Sequence, residues 1–339
     1  MSRVTVIGGG AWGTALAVVA ARRGDHEVRL WALEKEVCES VNATHLNNLF
    51  LPGITLPATL TAHHDFKEVL NGAEIVVSVM PSHHCRRTFE HMAQWLRPEM
   101  LFVSATKGLE NDTLLRMSEV IDEVVRRYCS FTPKVVALSG PSFAREAAEC
   151  KPTALTAASR DLEVAARVQK EFTDPRFRIY VNDDVTGVEL GGALKNVIAI
   201  AAGMCEGLGI GHNALAALIT RGLVEITRVA VACGAEAQTM AGLAGMGDLV
   251  LTCTGGLSRN RSVGVALGQG QKLDSIIAGM HGMVAEGVLT TNAAIGLGKK
   301  YGVEMPITEQ MYAILHDGKS PHDAIRELMG RPGKAEDRF

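Results

Sequence analysis

An α/β fold class, with a mainly parallel sheet domain over residues 1–184 and an all-α domain over residues 185–339, follows from three observations. Short β-branched runs alternate with helical patterns through the first half, as in a parallel sheet covered by helices. The strand signals stop near Val185, and helical runs bounded by glycine replace them. Finally, Gly8-Gly9-Gly10-Ala11-Trp12-Gly13 stands between the first strand and the first helical run, and this GxGxxG spacing marks the N-terminal domain as Rossmann-type. A chain of 339 residues also exceeds the roughly 250–300 at which a single core stops growing.

The strand candidates are Val4–Ile7, Glu27–Trp31, Ile75–Met80, Leu101–Ala105, Val135–Leu138, Ala154–Ala158 and Arg178–Val181. The domain boundary falls at Asn182-Asp183-Asp184, which also supplies a helix N-cap. Beyond it, Asn213–Cys233 reads as a helix stopped by Gly234, and Ser320-Pro321 opens a last short helix closed at Gly330.

Composition narrows the function. A formal net charge of -3, with 21% charged residues, gives no broad basic field, so no nucleic-acid partner is expected. The most membrane-like stretch, Val197–Ile219, is interrupted by Glu206, His212, Asn213 and several glycines; it predicts buried helices and no membrane span. The 7 cysteines contain no CxxC pair, which predicts reduced thiols and a cytoplasmic setting. A strand beginning at Val4 leaves no room for a targeting leader. His63-His64 and His83-His84 are adjacent pairs whose side chains diverge, and no metal is expected.

Each glycine of the first turn has a physical task. Gly8 permits the tight turn, Gly10 lets a pyrophosphate approach the backbone, and Gly13 lets helix and strand pack closely. Glu34 stands 21 positions after Gly13, close to the roughly 20-residue offset of an acid that holds the adenine-ribose diol. NAD is therefore expected in preference to NADP, with Glu36 an equal candidate for the acid and a plain solvated charge the alternative for both. The strand Ile75–Met80 exits over the cofactor through Pro81, and the next strand delivers Lys107 to the same sheet edge. Ser139-Gly140-Pro141-Ser142-Phe143-Ala144 then offers amides and a hydroxyl to nicotinamide or substrate.

The candidate chemistry lies in the second half. Lys195 and Asn196 interrupt a small and apolar helical run, and burial brings a lysine pKa toward the range useful for proton transfer. Gly191 and Gly192, four and three residues earlier, leave space on the same face. Asp248 opens a later helix, with Thr252 one turn on, and its carboxylate can pair with Lys195; the alternative is a plain N-cap. Ser258-Arg259-Asn260-Arg261, after two glycines, joins hydroxyl, amide and guanidinium donors to a helix start and so suits a phosphate.

Taken together, GGGAWGTAL, NNLFLPG, ATKGLE, SGPSFAREA, ELGGALKNVIAIAAG, GLAGMGDLVLTCTGGLSRNRSVG and MVAEGV resemble the NAD(P)-dependent glycerol-3-phosphate dehydrogenases, in order, from about Val4 to Leu328. The resemblance implies reversible hydride transfer between NAD(P)H and dihydroxyacetone phosphate, giving sn-glycerol 3-phosphate for glycerophospholipid synthesis. It implies that Lys195 is the acid–base lysine assisted by Asp248, with Asn196 and Thr252 near the substrate oxygens. It further implies that Lys107, Gly140, Ser142, Ser258, Arg259 and Asn260 bind the phosphorylated triose. Ala11, Trp12, Phe50, Ala144, Arg259, Val284 and Glu286 match cofactor-contacting positions, and a homodimer is a candidate assembly. Two departures stand out: Ala11 replaces a serine common in bacterial members, and Leu33-Glu34 replaces an often basic residue, which argues against NADP preference. A hydroxyacid or sugar-acid dehydrogenase and a non-catalytic dinucleotide sensor are the competing readings.

Overall fold

The computed structural model describes residues 1–280, 285–333 and 335–336, and the chain divides into two compact units. Unit 1 holds residues 1–106 and 116–185; unit 2 holds 107–115 and 186 onward.

Unit 1 is built on one sheet of eight strands: β1 (Ser2–Ile7), β2 (His26–Trp31), β3 (Thr61–His63), β4 (Ile75–Ser78), β5 (Leu101–Ser104), β6 (Lys134–Ser139), β7 (Thr153–Ala158) and β8 (Phe177–Asn182). The strand order is β3-β2-β1-β4-β5-β6-β7-β8, and β4 and β5 are buried at every position, as strands covered on both faces must be. The helices are α1 (Ala11–Arg22), α2 (Lys35–Thr44), α3 (Phe66–Leu70), α4 (Cys85–Met92), α5 (Met117–Cys129), α6 (Ala144–Ala148) and α7 (Leu162–Phe172).

All seven strands expected from sequence are present, with shifted ends. The expected run Ile75–Met80 stops pairing at Ser78, because the Met80 amide turns to the Thr106 hydroxyl at 3.2 Å. Two features carry no periodic signal. One is β3, a three-residue edge strand, and the other is the antiparallel pairing of β7 with β6 in an otherwise parallel sheet.

Unit 2 is helical: α8 (Val185–Gly207), α9 (His212–Ala232), α10 (Ala237–Met240), α11 (Asp248–Thr254), α12 (Arg259–Gly268), α13 (Leu273–Ala278), α14 (Glu286–Tyr301), α15 (Pro306–His316) and α16 (Pro321–Met329). A π-helical turn, Leu243–Gly247, runs directly into α11. By length and composition α8 could cross a membrane, but 94% of its apolar window is buried within the protein. The apolar stretch noted in the sequence breaks at Gly209 and Gly211, both with positive φ, and so becomes parts of two helices.

Glycines on α8 and α12 let their backbones touch. A Cβ at Gly203 would lie 2.0 Å from the Arg261 carbonyl oxygen, and one at Gly264 only 1.9 Å from that of Ile200. Gly207 and Gly268 repeat this contact four residues along each helix, on the same faces. The Glu225 carboxylate, also buried, caps α15: it accepts from Ile307 N at 2.8 Å and from the Thr308 amide and hydroxyl at 2.9 and 2.6 Å. Burial pushes its carboxyl above the ordinary range, against these hydrogen bonds.

Candidate active site

In unit 1 the strand order reverses between β1 and β4, the switch point at which open parallel sheets bind ligands beyond their carboxyl ends. Gly8 follows β1 with φ 134°, and a Cβ there would lie 1.9 Å from the Val79 carbonyl oxygen at the exit of β4. Pro81 stands two residues beyond that contact. A Cβ at Gly13 would collide at 1.9 Å with the Gly8 carbonyl oxygen, whereas Gly10 faces open space. Each glycine thus occupies the environment that the motif requires of it.

The turn is braced by a residue that pattern reading missed. The buried Asn47 side chain donates to the Gly9 carbonyl and to the Thr14 hydroxyl, both at 2.8 Å, while accepting from Phe50 N at 3.2 Å. Only its place in NNLFLPG marks it in the sequence.

A pyrophosphate fits this end. The first turn of α1 contains no acidic residue, and its N–H groups have no intrahelical acceptors. The Trp12 Nε1 is buried without a hydrogen-bond partner among the described residues. Ala11, Trp12, Phe50 and Ala144 are partly buried against the unit 1 core. Glu34 is the extended residue between β2 and α2, and its side chain makes no cap hydrogen bond; Glu36 is an exposed residue of the first helical turn. Gly140 takes φ 140° beyond β6, and the Ser142 hydroxyl donates to its carbonyl at 3.0 Å.

Unit 2 gathers the ionic residues. Lys195 is 5% exposed and Asp248 1%. The Lys195 ammonium donates to Asp248 Oδ1 and, at 2.8 Å, to the Thr252 hydroxyl. That hydroxyl donates to the Asp248 carbonyl at 2.6 Å, so each group has a defined partner. Lys107 donates to Asp248 Oδ2 at 2.7 Å. Lys107 follows closely on the end of β5, and its segment, residues 107–115, groups with unit 2, where Asp248 gives its ammonium a partner.

Asp248 is not an N-cap. Gly247 before it is already helical, and the π-helical turn continues into α11, a local geometry common at functional sites. Gly191 makes this close approach feasible, since a Cβ there would lie 2.6 Å from the Ala244 carbonyl oxygen.

Burial lowers the Lys195 pKa from 10.5 to about 7; the Asp248 charge opposes that shift and the Lys107 charge reinforces it. The unfolded chain therefore binds more protons between pH 7 and 10.5, and this group's contribution to stability grows as pH rises through that window. Cys253 nearby is buried and pushed up to about 12, so it stays a protonated thiol.

Ser258 caps α12, accepting from Arg261 N at 3.2 Å, and Arg261 is itself paired with Glu206. Of the two arginines, Arg261 is thus engaged by a carboxylate, and Arg259 has the Glu286 charge in its surroundings. The residue is exposed, yet its guanidinium is crowded enough for desolvation to lower its pKa, an effect that Glu286 opposes. Asn260 turns inward instead: its Nδ2 donates to Asn196 Oδ1 at 3.0 Å, and its Oδ1 accepts from Gly287 N at 2.9 Å. Val284 lies outside the described residues. No His, Cys, Asp and Glu cluster suited to a metal occurs among the described residues.

Two family patterns cover this chain. The N-terminus of the NAD-dependent glycerol-3-phosphate dehydrogenases matches residues 3–165, and their C-terminus matches residues 184–326. This chain belongs to the NAD-dependent glycerol-3-phosphate dehydrogenase family. Among the relatives of this dehydrogenase, a glycerol-3-phosphate dehydrogenase of Koribacter versatilis is 67% identical over 336 residues, covering 99% of both chains. One from Acidobacterium capsulatum is 54% identical, covering 99% of this chain and 100% of its own. The crystal structure of the Coxiella burnetii glycerol-3-phosphate dehydrogenase superposes with a TM-score of 0.92 at 38% identity, covering 97% of this chain and 99% of that one.

Proposed function

We propose that this chain interconverts dihydroxyacetone phosphate and sn-glycerol 3-phosphate in the cytoplasm, with Lys195 exchanging the proton and NADH the preferred reductant. The observation that carries the reading is the Lys195–Asp248–Lys107 cluster, in which the buried Lys195 is drawn down to about 7. A group titrating near neutrality is suited to give and take protons.

A nicotinamide cofactor, when bound, would supply or accept the hydride at C2. Lys195 donates its proton to the C2 oxygen as charge develops there, and takes it back in the reverse direction; solvent restores the proton between turnovers. Asp248 and Thr252 hold the ammonium at a fixed position, which lowers the cost of orienting it in the transition state. Arg259 and the start of α12 hold the phosphate, and that remote binding energy fixes the carbonyl for transfer.

In unit 1 the amides of the α1 start receive the pyrophosphate, and Glu34 accepts from the ribose diol. Glu34 repels a 2′-phosphate, so NADH is expected to have the higher kcat/KM. Monitoring cofactor oxidation with dihydroxyacetone phosphate tests activity and preference together. No turnover with either cofactor refutes the function, and an NADPH preference of about tenfold or more refutes the role of Glu34.

A further inference from the structure

Lys107 reaches Asp248 on a loop with its own anchor. Residues 107–115 follow β5 and precede α5 in sequence, yet belong to the helical unit. The loop closes on itself: Glu110 N donates to the Leu115 carbonyl at 3.0 Å, Leu114 N to the Glu110 carbonyl at 2.8 Å, and the Thr113 hydroxyl to the Glu110 carboxylate at 2.5 Å. Two leucines fasten it. Leu109 is buried in the unit 2 core, and Leu114 packs against that core.

Leu114 does so from the left-handed region, at φ 61°, which a bulky L-residue rarely adopts. Such a backbone persists only where its surroundings over-determine it. The surroundings are on α14: a Cβ at Gly296 would lie 2.7 Å from Leu114 Cδ2 and 3.1 Å from Cδ1, so the leucine methyls fill the notch that this glycine leaves. The same helix begins beside Gly287, whose amide holds Asn260 and, through it, Asn196. One helix thus seats the loop that carries Lys107 and fixes the residue next to Lys195.

We propose that Leu114 is a positioning residue: seated in the Gly296 notch, it keeps Lys107 on Asp248 and thereby sets the electrostatic surroundings of Lys195. The proposal rests on the reading of Lys195 as the acid–base group. Among the described residues, the charged and titratable groups facing Lys195 include Asp248, Lys107 and the protonated Cys253 thiol. Lys107 disfavours the ammonium, so a loosened loop raises the proton affinity of Lys195.

The test compares full-length wild type, Leu114→Ala, Leu114→Met, Lys107→Met and the Leu114→Ala/Lys107→Met double variant. The readouts are kcat, the pH midpoint of kcat/KM for dihydroxyacetone phosphate reduction, and Tm. Leu114→Ala is expected to lower kcat about tenfold or more and to move the midpoint upward, in the direction given by Lys107→Met. Leu114→Met, which nearly conserves volume, should stay within about twofold of wild type. In the Lys107→Met background, Leu114→Ala should add less than about twofold.

A Leu114→Ala variant with lowered Tm but wild-type kcat and midpoint overturns the proposal, as does a full loss persisting without Lys107. So does a Lys107→Met variant with unchanged midpoint. If Leu114→Ala does not fold, Gly296→Ala, which displaces the leucine methyls without deleting them, must give the same upward shift. Wild-type turnover in Lys195→Met would instead refute the underlying reading, so the two failures are distinguishable.

Discussion

Replacing Lys195 by methionine is expected to lower kcat by about 10²–10⁴-fold while leaving NADH affinity within a few-fold of wild type. Methionine keeps most of the stem that fills the site but has no proton to exchange. The control is built into the cluster, because Asp248 retains Lys107 at 2.7 Å and is not left as an uncompensated buried charge. The loss should therefore not come from unfolding, and Tm should stay close to that of wild type. Steady-state kinetics together with cofactor titration reads both quantities. Retention of more than half of the wild-type kcat would remove Lys195 from the chemistry.

The second large effect is expected at Arg259. It opens α12 beside the Ser258 cap, its neighbour Arg261 is held by Glu206, and Arg259 is the guanidinium proposed for the substrate phosphate. Losing a charge-assisted contact to a desolvated anion costs about 2–5 kcal/mol. Arg259→Ala should thus lower kcat/KM for dihydroxyacetone phosphate by roughly 30-fold to several thousandfold, at about 1.4 kcal/mol per decade. Unphosphorylated dihydroxyacetone never makes this contact and should lose far less. If Arg259 only pairs with Glu286 to hold the start of α14, both substrates lose equally and Tm falls. Measuring the two substrates on wild type and variant, with thermal unfolding alongside, separates these outcomes.

The parts of the protein legible in its sequence are those where one residue type meets a local physical requirement. Gly8, Gly10 and Gly13 each correspond to a turn, an open approach and a close packing that a side chain would prevent. Lys195 stands out because a charge in an apolar helical run needs a reason, and Asp248 because it shares a helix face with Thr252. The seven longer strands follow from period and length, whereas β3 is too short to carry either.

What escapes the sequence depends on contacts between distant segments. Nothing local reveals that the carbonyl of Gly9 needs Asn47, that Glu225 caps a helix some 80 positions later, or that residues 107–115 leave the sheet unit for the helical one. The inward turn of Asn260 is of the same kind, since only the Gly287 amide fixes which end of its carboxamide faces Asn196. The π-helical turn before Asp248 likewise depends on Gly191 admitting the backbone at Ala244, a meeting of two segments more than 50 residues apart.

The central claim, that Lys195 carries the proton, is tested most directly by the pH dependence of kcat/KM in both directions. Because the free enzyme holds this lysine at about 7, reduction of dihydroxyacetone phosphate should be level below that pH. Above it, reduction should fall by about tenfold per pH unit as the lysine loses its proton. Oxidation of sn-glycerol 3-phosphate needs the neutral amine, so it should rise through the same midpoint and level off above it. A reduction profile that stays level to pH 9, or an oxidation profile with no rising limb between pH 6 and 8, would contradict the account.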